Sequence, residues 1–165
     1  MSDISAWFEG RLPDEWFTES ASITVDRDEI LVVGRLAEPT VEGDDTDLPA
    51  AEAGRLQRFR EDTRSRRMRI ADEAEARFGR KVAWGAECGS TRQVFTTLAV
   101  PVMTRLRQPE RLVLDTLVEA GVARSRSDAL AWSVRLVGRH QKEWIEQLRQ
   151  ALVNVEAARE AGPRA

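Results

Sequence analysis

A chain of 165 residues, 42% hydrophobic and 32% charged, has the balance of a soluble globular protein with one ordinary domain or two small ones. No apolar run approaches the roughly 18 to 20 residues of a membrane span, and Met1-Ser2-Asp3-Ile4 lacks the basic-then-apolar form of a secretory leader. One cysteine, one histidine and no tyrosine exclude an intrachain disulfide and argue against a Cys/His zinc site and histidine-based nucleophilic catalysis.

These bounds predict a reducing, cytoplasmic setting, no membrane association, no metal or other cofactor, and no enzyme activity. His140 reads as a surface or structural histidine within a helical pattern. The net charge of −3 hides an asymmetry: residues 1–54 carry −11, residues 55–81 carry +5 and residues 92–140 carry +4. An acidic front and a basic middle predict either intramolecular pairing or a polyanion-binding surface screened by the front.

The first twenty residues hold two aromatic pairs, Trp7-Phe8 and Trp16-Phe17, separated by Gly10 and Pro13. Pro13 suits the first turn of a short helix, followed by Asp14 and Glu15. The aromatics predict a terminal segment clamped on the core; the alternative is a docking motif for a protein partner, since exposed aromatics anchor interfaces. Ser22-Ile23-Thr24-Val25 and Ile30-Leu31-Val32-Val33 are β-rich runs joined by Asp26-Arg27-Asp28-Glu29, the pattern of a hairpin. Residues 38–49 are acidic and rich in turn formers, which predicts a flexible loop whose charge is solubilising or inhibitory.

From Ala50 to Phe78 the spacing of Leu56, Phe59, Thr63, Arg66/Arg67, Ile70, Ala74 and Phe78 predicts one amphipathic helix capped by Gly79. Arg55, Arg58, Arg60, Arg64, Arg66, Arg67 and Arg69 are placed on its exposed face, either solvated and paired with acids or in contact with a polyanion. Val82-Ala83-Trp84 and residues 93–98, separated by Cys88-Gly89-Ser90, predict a second hairpin. Cys88 has only Arg92 nearby to activate it and reads as incidental.

The segment after residue 100 is the most specific. Pro109 suits the start of a helix with Leu112, Val113, Leu117 and Val118 as its apolar stripe, and Gly121 ends it. Ser125 and Asp128 have capping-box spacing and open a second helix with Leu130, Val134 and Val137 inward. Beyond it, Gln141, Trp144, Leu148, Ala151, Val155 and Ala158 continue a heptad-like seam. Gly138 is placed to bend that helix and Gln141 to set its register, while Trp132 and Trp144 are expected to pack into a core.

A strand, a short helix closed by Gly121 and the Ser125-Arg126-Ser127-Asp128-Ala129-Leu130 start of the next helix together resemble the ribbon-helix-helix family. The resemblance covers residues 100–138, and Arg105-Leu106 also stands at the family's spacing from Leu114-Asp115. It implies that two chains pair their strands into an antiparallel ribbon that enters the DNA major groove. By strand alternation Val102, Thr104 and Leu106 then face the helices, and Pro101, Met103 and Arg105 face outward. Arg105 becomes the base or phosphate reader, with Met103 beside it. Ser125, Arg126 and Ser127 take a phosphate at the helix N-terminus, aided by Arg107 and Arg124. Pro101 and Met103 depart from good base readers, because neither side chain hydrogen-bonds.

The sequence therefore predicts an α+β protein. Residues 1–98 form an acidic-fronted ββαββ-type module, and residues 99–160 a ribbon-helix-helix unit with an extended C-terminal helix. The expected function is that of a homodimer or higher oligomer that binds DNA, either sequence-specifically or architecturally, as a transcriptional regulator. The alternative is a non-catalytic adaptor for protein or RNA that uses the ribbon only to dimerise.

Overall fold

The structure, a computed structural model, describes residues 3–40 and 47–160 and is an α+β fold. Residues 41–46, inside the loop expected over 38–49, lie outside the described residues. The chain divides into two compact units, Met1–Pro101 and Val102–Ala165.

The first unit is built on a four-stranded sheet of order β1-β2-β3-β4, comprising Ser22–Val25, Glu29–Arg35, Lys81–Cys88 and Thr91–Val94. Both expected hairpins form. Asp26 Oδ1 accepts the Asp28 and Glu29 amides at 2.8 and 2.7 Å to close the first, and Gly89 at φ 55° turns the second. The central pair β2 and β3 is parallel, with Val32 opposite Trp84, so a helical crossover must join them. As interior strands do, these two carry the densest apolar runs: Ile30, Val32 and Val33 on one, Ala83, Trp84, Ala86 and Cys88 on the other, all buried. Strand β4 ends at Val94, short of the 93–98 run expected, and the Phe95 amide donates to the Trp84 carbonyl at 2.7 Å.

The crossover is two helices, α2 (Leu48–Asp62) and α3 (Arg64–Phe78), where the periodicity predicts one. Leu48 and Pro49 belong to α2 rather than to the loop. The break sits at Thr63, whose hydroxyl donates to the Phe59 carbonyl at 2.5 Å and competes with the backbone ladder. Arg67 Nη2 donates to the Arg60 carbonyl at 2.6 Å, replacing a helical partner there. Leu56, Phe59, Ile70 and Ala74 face the sheet as expected, and Gly79 caps α3 at φ 67°. Arg67 does not stand on the exposed face: it is 6% exposed.

The N-terminal helix α1 spans Asp3–Arg11 and ends before Pro13, which begins a turn and not a helix. Helix periodicity carries Phe8 inward, where it is fully buried, and Trp16 follows it into the same core. Phe8 meets Trp84 edge-on at 6.4 Å, and Trp16 meets Trp84 at 6.2 Å and Phe59 at 5.7 Å. Trp7 and Phe17 pack against this core half-buried. All four rings are thus committed within the unit, and the docking role considered for the aromatic N-terminus loses its exposed anchors. Buried Glu52 of α2 closes the far side, accepting from Thr91 Oγ1 at 2.5 Å and from Ser90 N and Oγ at 3.3 Å.

The second unit is three helices, α4 (Gln108–Glu119), α5 (Arg126–His140) and α6 (Lys142–Glu160). The extended C-terminal helix is present, but interrupted at Gln141 and not at Gly138. Gly138 lies in the turn that closes at Gln141, and its missing side chain weakens that turn by about 1 kcal/mol relative to alanine. Among the described residues no helix is long and apolar enough to cross a membrane.

Candidate nucleic-acid interface

The second unit's helical pair begins where the sequence places it. Pro109 stands in the first turn of α4, and Gly121 at φ 72° lets the chain reverse after it. Ser125 is the N-cap of α5. Its hydroxyl accepts the Asp128 amide at 3.2 Å, and Asp128 Oδ2 accepts the Arg124 amide at 3.0 Å. The two helices close on Leu114, Ala123 and Ala129, with Leu106, Leu117, Val118 and Leu130 packed half-buried around them. Leu112 and Val113, expected in the inward stripe, are exposed, and so are Val134, Val137 and Trp144. Leu117 and Val118 face inward as expected, and Leu114 takes the place expected of Leu112 and Val113.

Before α4, residues 96–107 belong to no helix, strand or turn. The strand expected here does not form in the single chain, where this segment has no ladder partner among the described residues. Val102 and Met103 are 85% and 95% exposed, while Leu106 turns onto the helical core. Arg111 Nη1 donates to the Leu106 carbonyl at 2.8 Å and fixes the segment where it enters α4, a role the sequence did not reveal. Val102, Met103, Thr104 and Leu106 border an open groove of about 350 Å³ whose other walls include Leu114, Arg126, Ser127 and Leu130.

The predicted site residues divide into two groups. Met103, Arg105 and Arg107 stand exposed on the extended segment, Arg107 as the extended N-cap of α4. Arg124, with a side chain 95% exposed, and Ser125, Arg126 and Ser127 gather at the start of α5. The first amides of α5 have no carbonyl one turn back, so this end carries partial positive charge. Arg126 differs from its expected role. Its guanidinium forks onto Asp115 of α4 at 2.6 and 2.7 Å, a bidentate pair that ties the two helices together. Asp128, held between Arg124 and Arg135, places a carboxylate beside the same helix end.

These pairings set the site's response to acid. The Arg126 hydrogen bonds hold the Asp115 carboxyl below its usual range, and the Arg124 amide does the same for Asp128. A lowered folded-state pKa stabilises above the unfolded value and is lost as pH falls through the folded one. The helical content of the second unit is therefore expected to hold above about pH 4 and to decline below it. Asp115→Asn is expected to flatten that decline in circular dichroism; an unchanged profile would mean that the pair contributes nothing.

Residues 2–94 match the family model of the Rv1265-like protein N-terminal domain, and residues 107–159 that of the Mb1296 C-terminal domain. The extended segment 96–106 falls between the two. The chain is 57% identical over 162 residues to the proteins Mb1296 of Mycobacterium bovis and Rv1265 of Mycobacterium tuberculosis, covering 98% of this chain and 71% of each relative. Neither family description names an activity or a ribbon-helix-helix unit. No solved structure matches the chain.

Proposed function

We propose that this chain, which belongs to the Rv1265-like family, is a homodimeric cytoplasmic DNA-binding regulator that pairs residues 102–106 of two copies into a ribbon. The observation that carries the reading is a helical pair with half a core beside an extended, unpaired segment. Leu114, Ala123 and Ala129 are its buried apolar residues among those described, while Val102, Leu112, Val113, Val134 and Val137 stand in solvent. Exposed apolar surface of this kind marks an interface. An antiparallel ribbon from two copies gives residues 102–106 a ladder and buries Val102 and Leu106 over the helices, leaving Arg105 and Met103 outward. Arg105 and Arg107 then meet the duplex, and Arg124, Ser125 and Ser127 offer a phosphate the N-terminal end of α5. No catalytic group enters this reading.

Replacing Arg105 and Arg107 by alanine is the test. Wild-type protein is expected to bind a labelled random-sequence duplex at about 50 mM salt and to weaken steeply by about 200 mM, as counterion release requires. The double variant is expected to lose about tenfold or more at the lower salt, read by fluorescence anisotropy. The pairing of Arg126 with Asp115 favours a second reading, in which the ribbon serves dimerisation alone and the partner is a protein or RNA. A dimer that binds no duplex would select it.

A further inference from the structure

We propose that Arg60 and Arg64, exposed at the α2–α3 break where Arg67 is buried against Phe95, form a separate contact site in the first unit for the phosphodiester backbone of a nucleic acid. The inference stands without the ribbon, because it rests on the first unit alone.

Several cations of this unit are paired with carboxylates on its own surface. Arg11 pairs with Glu73, Arg66 with Glu15, Arg35 and Arg92 with Glu87, and Lys81 with Glu75. Arg60, Arg64 and Arg67 have no carboxylate within ion-pair distance among the described residues. They nevertheless lie close enough to repel one another. Burial, with the charges of Arg60 and Arg64, pushes Arg67 down to about 10. The Arg67 guanidinium is held in place by Thr63 Oγ1 at 2.9 Å and the Arg60 carbonyl at 2.6 Å, and lies 5.1 Å from the centre of the Phe95 ring. Arg60 approaches the same ring at 6.0 Å. Uncharged partners thus fix the Arg67 charge next to those of Arg60 and Arg64.

An anion is what this arrangement lacks. The first turn of α3 carries no acidic residue, although negative charge is favoured at that helix end. At about 100° per residue, Arg60 and Arg64 flank the buried face of the helices on the side of Arg67. Both are exposed, on an open surface and not in an enclosing cavity. A small ligand is normally buried by its site, whereas a polyanion needs only an open track of cations. The open cluster therefore fits a phosphodiester strand.

The test uses the full chain and a random-sequence duplex, with affinity measured over a salt series. Arg60→Gln with Arg64→Gln is compared with Arg58→Gln and Arg69→Gln, which make the same charge change on the opposite helix face, and with Arg105→Ala and Arg107→Ala. Removing two contacts is expected to lower the slope of log affinity against log salt by about 1.8, since each contact contributes about 0.9. The Arg58/Arg69 pair is expected to change it by less than half as much. Equal effects of the two glutamine pairs, or none from Arg60/Arg64, overturn the site while leaving the ribbon to its own variant. Loss with Arg60/Arg64 but not with Arg105/Arg107 supports this site and overturns the ribbon as the reader. Absence of duplex binding overturns both. Preference for phosphatidylserine vesicles over duplex, with the same Arg60/Arg64 dependence, overturns the nucleic acid as the ligand.

Discussion

Phe8→Ala is expected to lower the stability of the first unit by about 3–5 kcal/mol, the range for truncating a buried phenylalanine. Phe8 is fully buried although it sits only eight residues into the chain. Its ring meets Trp7 at 4.9 Å and Trp84 at 6.4 Å, so truncation opens a cavity between α1 and the sheet. The surrounding indoles are large and held by other partners, Trp16 against Phe59 and Trp7 against Phe78, and have little freedom to collapse into it. Denaturant unfolding of the full chain, followed by tryptophan fluorescence, is the measurement. A cost under about 1 kcal/mol, as surface positions give, would mean that α1 is not docked as described.

The second large effect is expected at a residue that looks harmless in the single chain. Val134 is 65% exposed on α5, and an aspartate at such a surface position ordinarily changes stability by no more than about 0.5 kcal/mol. In a dimer that completes the second unit's core, the same substitution removes buried apolar surface and places a charge at the interface. Dimer dissociation is then expected to rise by at least about 100-fold, roughly 2.7 kcal/mol. Sedimentation of Val134→Asp beside wild type reads it. Identical association of the two would place the interface elsewhere and take α5 out of it.

Legibility in the sequence follows the range of the interactions concerned. Turns and caps were readable because they are local: Asp26 before β2, Gly79 after α3, and Ser125 with Asp128 at α5 all act within four residues. The inward face of α2 and α3 was readable from period alone. What was missed depends on how the elements pack and break, not on spacing alone. Arg67 faces inward because its hydrogen-bond acceptors lie at the Thr63 break and its rings on β3 and after β4. Periodicity in charged residues does not reveal this, although Arg67 does share the helical face of Ile70 and Ala74. The Arg126–Asp115 pair spans eleven residues across a helix-turn-helix, a distance set by the crossing of α4 and α5. The parallel pairing of β2 with β3 follows from the crossover, and two hairpin signals do not determine which strands lie side by side. At the candidate interface the placement of Arg105 and Met103 outside the helical core was legible, whereas the ladder proposed for residues 102–106 would be made with a second chain.

The central claim is that the second unit is half of a fold completed by another copy of itself. Sedimentation equilibrium of the wild-type chain, over concentrations from nanomolar to micromolar, tests it most directly. The account predicts a reversible monomer–dimer equilibrium that is mostly dimer in the micromolar range, with thermal stability rising as concentration rises. A stable monomer throughout, with a melting temperature independent of concentration, would contradict it.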